Sequence, residues 1–172
     1  MPAAPPETFR TERLTVRRLR EGDAEAIFSA YARDPQVTRW LEWAPHRDID
    51  QTRAFIARCD AAWRDGREFT WAACRDDDRA IGAVALRAHP FKPDVGYVLA
   101  RAHWGRGYMA EALQPIVDWA LAQPDVYRVW AVCDVGNPAS GRVLEKVGMQ
   151  REGVLRRWGV HPNASDTPDD CF

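Results

Sequence analysis

The stretch "HWGRGYMAEAL", residues 103–113, carries glycines at 105 and 107 ahead of apolar residues at helical spacing. In that arrangement glycines let the main chain fold closely, and the first free amides of a helix point at an anion with the helix dipole behind them. A phosphate-bearing ligand is the chemistry this predicts. Upstream, "DVGYVLA" (94–100) reads as a strand; downstream, the helix runs to about Ala122 and "VYRVWAVCD" (126–134) reads as a further, strong strand.

Gly105 to Ala110 also fits G-x-G-x-x-A, the dinucleotide fingerprint, with Asp134 closing the next strand where a ribose ligand would sit. A nicotinamide-dependent oxidoreductase is therefore the rival reading. Against it, the five residues "ARAHW" separate strand from glycine, and the motif follows four strands instead of opening the sheet. Too little chain remains for a second mononucleotide half. No Lys-Ser/Thr pair follows the glycines, so the loop is not a Walker loop.

Outward from the glycines, "RLTVRRL" (13–19) alternates as a half-buried strand. "EGDAEAIFSAYARD" follows as a helix capped by Asp23, with Ala24, Ile27, Phe28 and Tyr31 on one face. The next helix, "DIDQTRAFIARCDAAWRDG", turns Phe55, Ile56, Cys59 and Trp63 inward and stops at Gly66. "FTWAACR" and "AIGAVALRA" flank the turn at 76–78 as a hairpin. "NPASGRVLEKVG" (137–148) predicts a helix with Asn137 as N-cap, Pro138 first and Gly148 as stop; "MQREGVLRRW" returns as a strand. The tail after it is turn-rich, so either the last strand is very short or the chain has been cut. The order βααβββαβαβ describes one α/β domain over 1–172, with 1–10 a ragged lead-in.

Composition narrows the functional classes. Of 172 residues 46% are hydrophobic and 28% charged, and the net charge is -1, so no basic field draws the chain to nucleic acid or anionic lipid. No apolar run reaches the length of about 18 residues that spans a membrane, and the first residues do not read as a secretory signal. Cys59, Cys74, Cys133 and Cys171 form no C-x-x-C pair; they read as reduced, buried thiols of a cytoplasmic protein, and no metal set is evident. His46, His89, His103 and His161 are isolated and read as surface residues.

Three pieces in register, "TERLTVRRLREGDA" (11–24), "VGYVLARAHWGRGYMAEAL" (95–113) and "NPASGRVLEKVGM" (137–149), resemble the Gcn5-related N-acetyltransferase (GNAT) superfamily and, within it, the RimJ/RimL ribosomal-protein group. The resemblance implies an α/β (α+β) GNAT fold: a mixed, mostly antiparallel twisted sheet of about six or seven strands with about four helices, splayed at the fourth and fifth strands. It implies acetyl-CoA as co-substrate and direct transfer to an amine, either a protein N-terminus or a small molecule, in a ternary complex. The oligomeric state stays open between monomer and homodimer.

By the same resemblance, Trp104, Gly105, Arg106, Gly107, Tyr108, Met109 and Ala110 occupy the Q/R-x-x-G-x-G/A pyrophosphate loop, with Trp104 and Met109 departing from its usual residues. Val98 and Leu99 supply main-chain contacts to the pantetheine arm, one amide facing the thioester oxygen. The superfamily's Tyr acid is here Leu144, whereas the RimJ/RimL serine is present as Ser140; Asn137 shares its face. Glu111, Tyr97 and Asp134 are the candidate bases, a water relay alone being the alternative. Trp40, Trp43 and "RRWGVHPN" mark the acceptor side. A non-catalytic coenzyme A-binding domain that kept the pocket is the remaining alternative.

Overall fold

The computed structural model describes residues 4–172. It begins with β1 (Thr8–Arg10) and β2 (Thr15–Arg18), a 3-10 turn (Glu21–Asp23), α1 (Ala24–Ile27) running into a π turn, α2 (Pro35–Thr38) and α3 (Ile49–Arg64). Then come β3 (Glu68–Cys74), β4 (Ala80–Arg87), β5 (Asp94–Leu99), α4 (Tyr108–Leu121), α5 (Pro138–Lys146), β6 (Leu155–Gly159) and β7 (Asp169–Cys171). The first five strands form one antiparallel sheet in chain order, and β6 and β7 form a separate antiparallel pair.

The sheet is covered on both faces, which is why β3 reads as a near-continuous apolar run and not as an alternation. Trp71 and Ala73 face one side, with Val16, Val84 and Leu86; there α4 lays down Ala112, Leu113, Ile116, Val117 and Ala120. Ala72 and Cys74 face the other, where Leu19, Ala24, Ile27, Tyr31, Ile56 and Cys59 pack. Gly82 permits the tight pairing of β4 with β5: a Cβ there would stand 2.5 Å from the Val98 carbonyl oxygen.

Several expectations are corrected. Of the expected lead-in, residues 1–3 lie outside the described residues, while residues 8–10 are an edge strand in register with β2. Asp23 does not cap α1 with its side chain. Its carboxylate instead grips the buried guanidinium of Arg17 at 2.8 and 2.9 Å, and Arg17 also holds Asp78 in the β3–β4 turn at 2.6 Å. Two buried charges need mutual compensation more than a helix end needs a cap.

The expected strand over 126–134 is not a strand. It touches β5 in parallel at one bridge, Asp94 to Trp130, and touches β7 at another, Asp134 to Cys171. Stretched between two partners, it forms no continuous ladder. The strand expected at "MQREGVLRRW" begins only at Leu155, because its partner β7 reaches no further. The last strand is indeed short, three residues.

Candidate functional site

α4 opens at Tyr108 with Gly107 as N-cap at φ +81° and Gly105 at φ +73°, a left-handed conformation that L side chains rarely adopt. No side chain caps this helix, so the amides of its first turn are left to an outside acceptor. A Cβ on Gly105 would meet nothing within 4 Å, so the loop opens outward. Tyr108 and Met109, expected to line the loop, bury their side chains in the core. They offer only their backbone. Arg106 is exposed at the turn.

The loop is braced by a residue that sequence reasoning passed over. Arg13 donates from Nη1 to the Arg106 carbonyl at 3.1 Å and lies 4.5 Å over the Tyr108 ring. Glu111 holds Arg13 in place. One carboxylate oxygen accepts from Thr11 Oγ1 (2.6 Å) and the Arg13 amide (2.8 Å), the other from Arg13 Nε (2.7 Å) and Nη2 (2.6 Å). Burial alone would raise this carboxyl, but those hydrogen bonds and the Arg13 charge hold it below the ordinary carboxylate value. Against expectation, Glu111 is a structural clamp: a carboxylate with four donors and a depressed pKa is a poor base.

β5 leads into the loop. Its register with β4 pairs Leu99 with Gly82 and Val98 with Ala83, and the Ala100 amide donates to Ile81. Hydrogen bonding alternates along an antiparallel pair, so Val98 turns its backbone to β4 while Tyr97 and Leu99 turn theirs away. The Val95 amide, facing the same outward side, donates to Trp130 at 3.0 Å; beyond it the 126–134 segment departs. The splay thus lies along Tyr97 and Leu99. This corrects Val98, whose amide is spent in the sheet. The Leu99 carbonyl accepts from Trp104 Nε1 at 2.7 Å, tying strand edge to glycine loop and leaving the Leu99 amide as the outward donor.

Tyr97 and Ser140 meet across this edge. The Tyr97 hydroxyl lies 2.7 Å from Ser140 Oγ and 2.9 Å from its carbonyl oxygen. Burial pushes the phenol well above its ordinary pKa, against the opposing pull of the Ser140 hydrogen bond, so Tyr97 stays protonated. It is a donor here and not a base. Asn137 caps α5, its Oδ1 accepting from the Ser140 amide at 3.2 Å. Cys133 is buried beside this turn, where burial raises its thiol pKa while Ser140 and Arg151 lower it less.

On the remaining side, Asn163 donates from Nδ2 to the carbonyls of Thr38 and Trp43, both at 2.8 Å. Trp40 stands edge-on to His161, ring centroids 6.1 Å apart, and Trp43 lies 5.1 Å from His46. The two stretches marked as acceptor side in the sequence are therefore in contact. Three histidines depart from the surface reading, among them His103, which is half-buried with its Nδ1 enclosed. The His161 side chain is 12% exposed beside buried Asp134, and His46 Nδ1 sits 2.8 Å from Thr52 Oγ1. A concavity of about 520 Å³ lies elsewhere, along Gln114, Pro115 and Asp118 of α4 with Thr11 and Lys146. Its open, shallow form does not match the edge described above.

The profile of the acetyltransferase (GNAT) domain matches residues 13–150. The uncharacterized N-acetyltransferase YoaA of Bacillus subtilis (strain 168) is 32% identical over 152 residues, covering 86% of this chain and 85% of its own. Among solved structures, the RimL ribosomal L7/L12 alpha-N-protein acetyltransferase in complex with coenzyme A superposes with a TM-score of 0.84 at 19% identity, over 96% of this chain and 94% of that one. The microcin C7 self-immunity acetyltransferase MccE, in complex with acetyl-CoA and AMP, gives 0.85 at 16% identity over 98% and 95%.

Proposed function

Because this chain belongs to the GNAT acetyltransferase family and is an N-acetyltransferase, we propose that it moves an acetyl group from acetyl-CoA directly to a primary amine held in the same complex. The observation that carries this reading is the opened edge of β5, with its outward Tyr97 and Leu99 amides joined to the glycine loop by the Trp104–Leu99 hydrogen bond. The RimL and MccE structures, solved with coenzyme A and acetyl-CoA, support it by their fold.

Acetyl-CoA supplies the activated acetyl group. The residues present fit it: first-turn amides of α4 and exposed Arg106 for the pyrophosphate, the strand edge for the pantetheine arm. The Leu99 amide then faces the oxygen on which negative charge develops, and a fixed donor there is worth about 2.7–4 kcal/mol. Ser140 Oγ donates a proton toward the departing sulfur. Tyr97, protonated and 2.7 Å away, holds that hydroxyl in place, and the proton that the attacking amine releases to water restores Ser140. With Glu111 engaged by Thr11 and Arg13, the attacking amine passes its proton to water, and the acceptor enters beside Trp40 and Trp43. The acceptor amine belongs to a protein N-terminus or a small molecule.

Calorimetric titration with acetyl-CoA, and separately with a nicotinamide dinucleotide, tests the reading. Micromolar binding of acetyl-CoA alone is expected. Binding of the dinucleotide alone overturns it, and binding of acetyl-CoA without thiol release across a panel of amines and N-terminal peptides leaves a binding domain only.

A further inference from the structure

Three segments remote in sequence meet behind Trp40. The Phe172 amide donates to the Cys133 carbonyl at 2.8 Å, the Cys133 amide returns a bond at 3.2 Å, and Val135 donates to Asp170 at 3.0 Å. Asp134 and Cys171 therefore face each other as a non-hydrogen-bonded pair, the position where side chains across an antiparallel pair lie closest. His161 folds over them just past β6; a Cβ on Gly159 would sit 4.0 Å from both Cys171 Sγ and His161 Cε1. A carboxylate oxygen of Asp134, a ring nitrogen of His161 and Cys171 Sγ all lie within 4.8 Å of one another.

The polar atoms of this cluster are under-satisfied. Asp134 is 4% exposed and Cys171 1%. Asp134 Oδ1 accepts from the Gly136 amide at 2.6 Å, but Oδ2 is buried without a hydrogen-bond partner, and so is His161 Nδ1. The two atoms stand 3.1 Å apart, close enough to pair as ions if the ring is protonated, yet are not aligned for a hydrogen bond. A buried carboxylate oxygen that accepts no hydrogen bond is costly, and a cation held between it and the ring nitrogen would offset that cost. Ligand nitrogen and oxygen atoms each about 2.0–2.1 Å from a tetrahedral zinc stand roughly 3.3 Å from one another, within a few tenths of an ångström of the spacing here. Imidazole and thiolate donors favour zinc over calcium or magnesium, which take oxygen.

We propose that Asp134, His161 and Cys171 form a zinc site, with water completing the tetrahedron. The ion fastens the β6–β7 pair to the turn that leads into Asn137 and α5, beneath the Trp40 ring.

The test uses the full chain, reduced and stripped with a chelator, titrated with Zn²⁺ against a chromophoric competitor and separately with Co²⁺. One equivalent of Zn²⁺ is expected, with a rise in melting temperature, and Co²⁺ gives a thiolate charge-transfer band with intense tetrahedral visible bands. Cys171→Ser removes the charge-transfer band. His161→Ala and Asp134→Asn each weaken Zn²⁺ binding at least about tenfold, and Cys59→Ser leaves it unchanged. The wild-type titration does not depend on any variant folding. No bound Zn²⁺, no thiolate band, or undiminished binding in Cys171→Ser and His161→Ala would each overturn the proposal.

Discussion

The glycine loop and the Tyr97–Ser140 pair sit on the same strand edge but are built in opposite ways. The loop works through its backbone: Gly105 and Gly107 are there for their left-handed angles, and Tyr108 and Met109 turn their side chains into the core. The pair works through two hydroxyls delivered from elements 43 positions apart, held at 2.7 Å by the packing of α5 near β5. A backbone site tolerates side-chain exchange but not a change of handedness. A side-chain site tolerates neighbours' variation but not loss of one atom.

Substitutions can break this contrast. The largest effect is expected for Ser140→Ala: kcat for acetyl transfer falls by about 10²-fold while the dissociation constant of acetyl-CoA, measured by calorimetry, stays within about threefold. Tyr97→Phe, which leaves Ser140 its own hydroxyl, lowers kcat less. An unchanged kcat in Ser140→Ala removes the acid role. At the loop the pattern inverts. Gly107→Val forces an L side chain into the left-handed region at about 1–2 kcal/mol, so acetyl-CoA binding weakens by roughly tenfold whatever the amine acceptor.

Arg13→Ala sharpens the comparison, since it alters a side chain that supports a backbone. Its ion pair with Glu111 is 43% exposed on the arginine side, so the stability cost is at most about 1 kcal/mol, and the KM for acetyl-CoA rises about threefold with kcat preserved. The smallest effect is one of pH. Glu111 has a depressed folded pKa, so its contribution to stability is present above the ordinary value of 4.5 and is lost as pH falls through the folded value. Wild type therefore melts higher than Glu111→Gln at pH 7, and the difference closes as pH falls from 4.5 through the depressed folded value. A gap that persists in acid would show that Glu111 acts through shape and not charge.

How far the residues announced all this depends on the range of the interaction. Two helices had legible ends: Asn137, Pro138 and Gly148 mark α5, and Gly66 marks the stop of α3, because such caps and stops are settled by neighbours a few positions away, whereas Asp23 was drawn off its helix by Arg17. The strand at 126–134 was misread for the opposite reason. Its β-branched and aromatic residues favour extension, but a ladder requires a partner along its length, and this segment is bridged only at Trp130, to β5, and at Asp134, to β7.

Glu111 shows the same limit within a site. Its place in a first helical turn suited either a dipole partner or a base, and only the fold brought Thr11 and Arg13 to it. His161 carried no local signal; Trp40 and Asp134 reach it from far along the chain. By itself, then, the sequence determined the elements that local backbone preference decides: the glycine loop, the capped helices and the hairpin of β3 and β4. The tertiary structure alone decided which side of β5 opens, which carboxylate is spent on an arginine, and which buried polar atoms meet. These depend on register and on charge compensation between distant segments, and neither leaves a trace in local spacing.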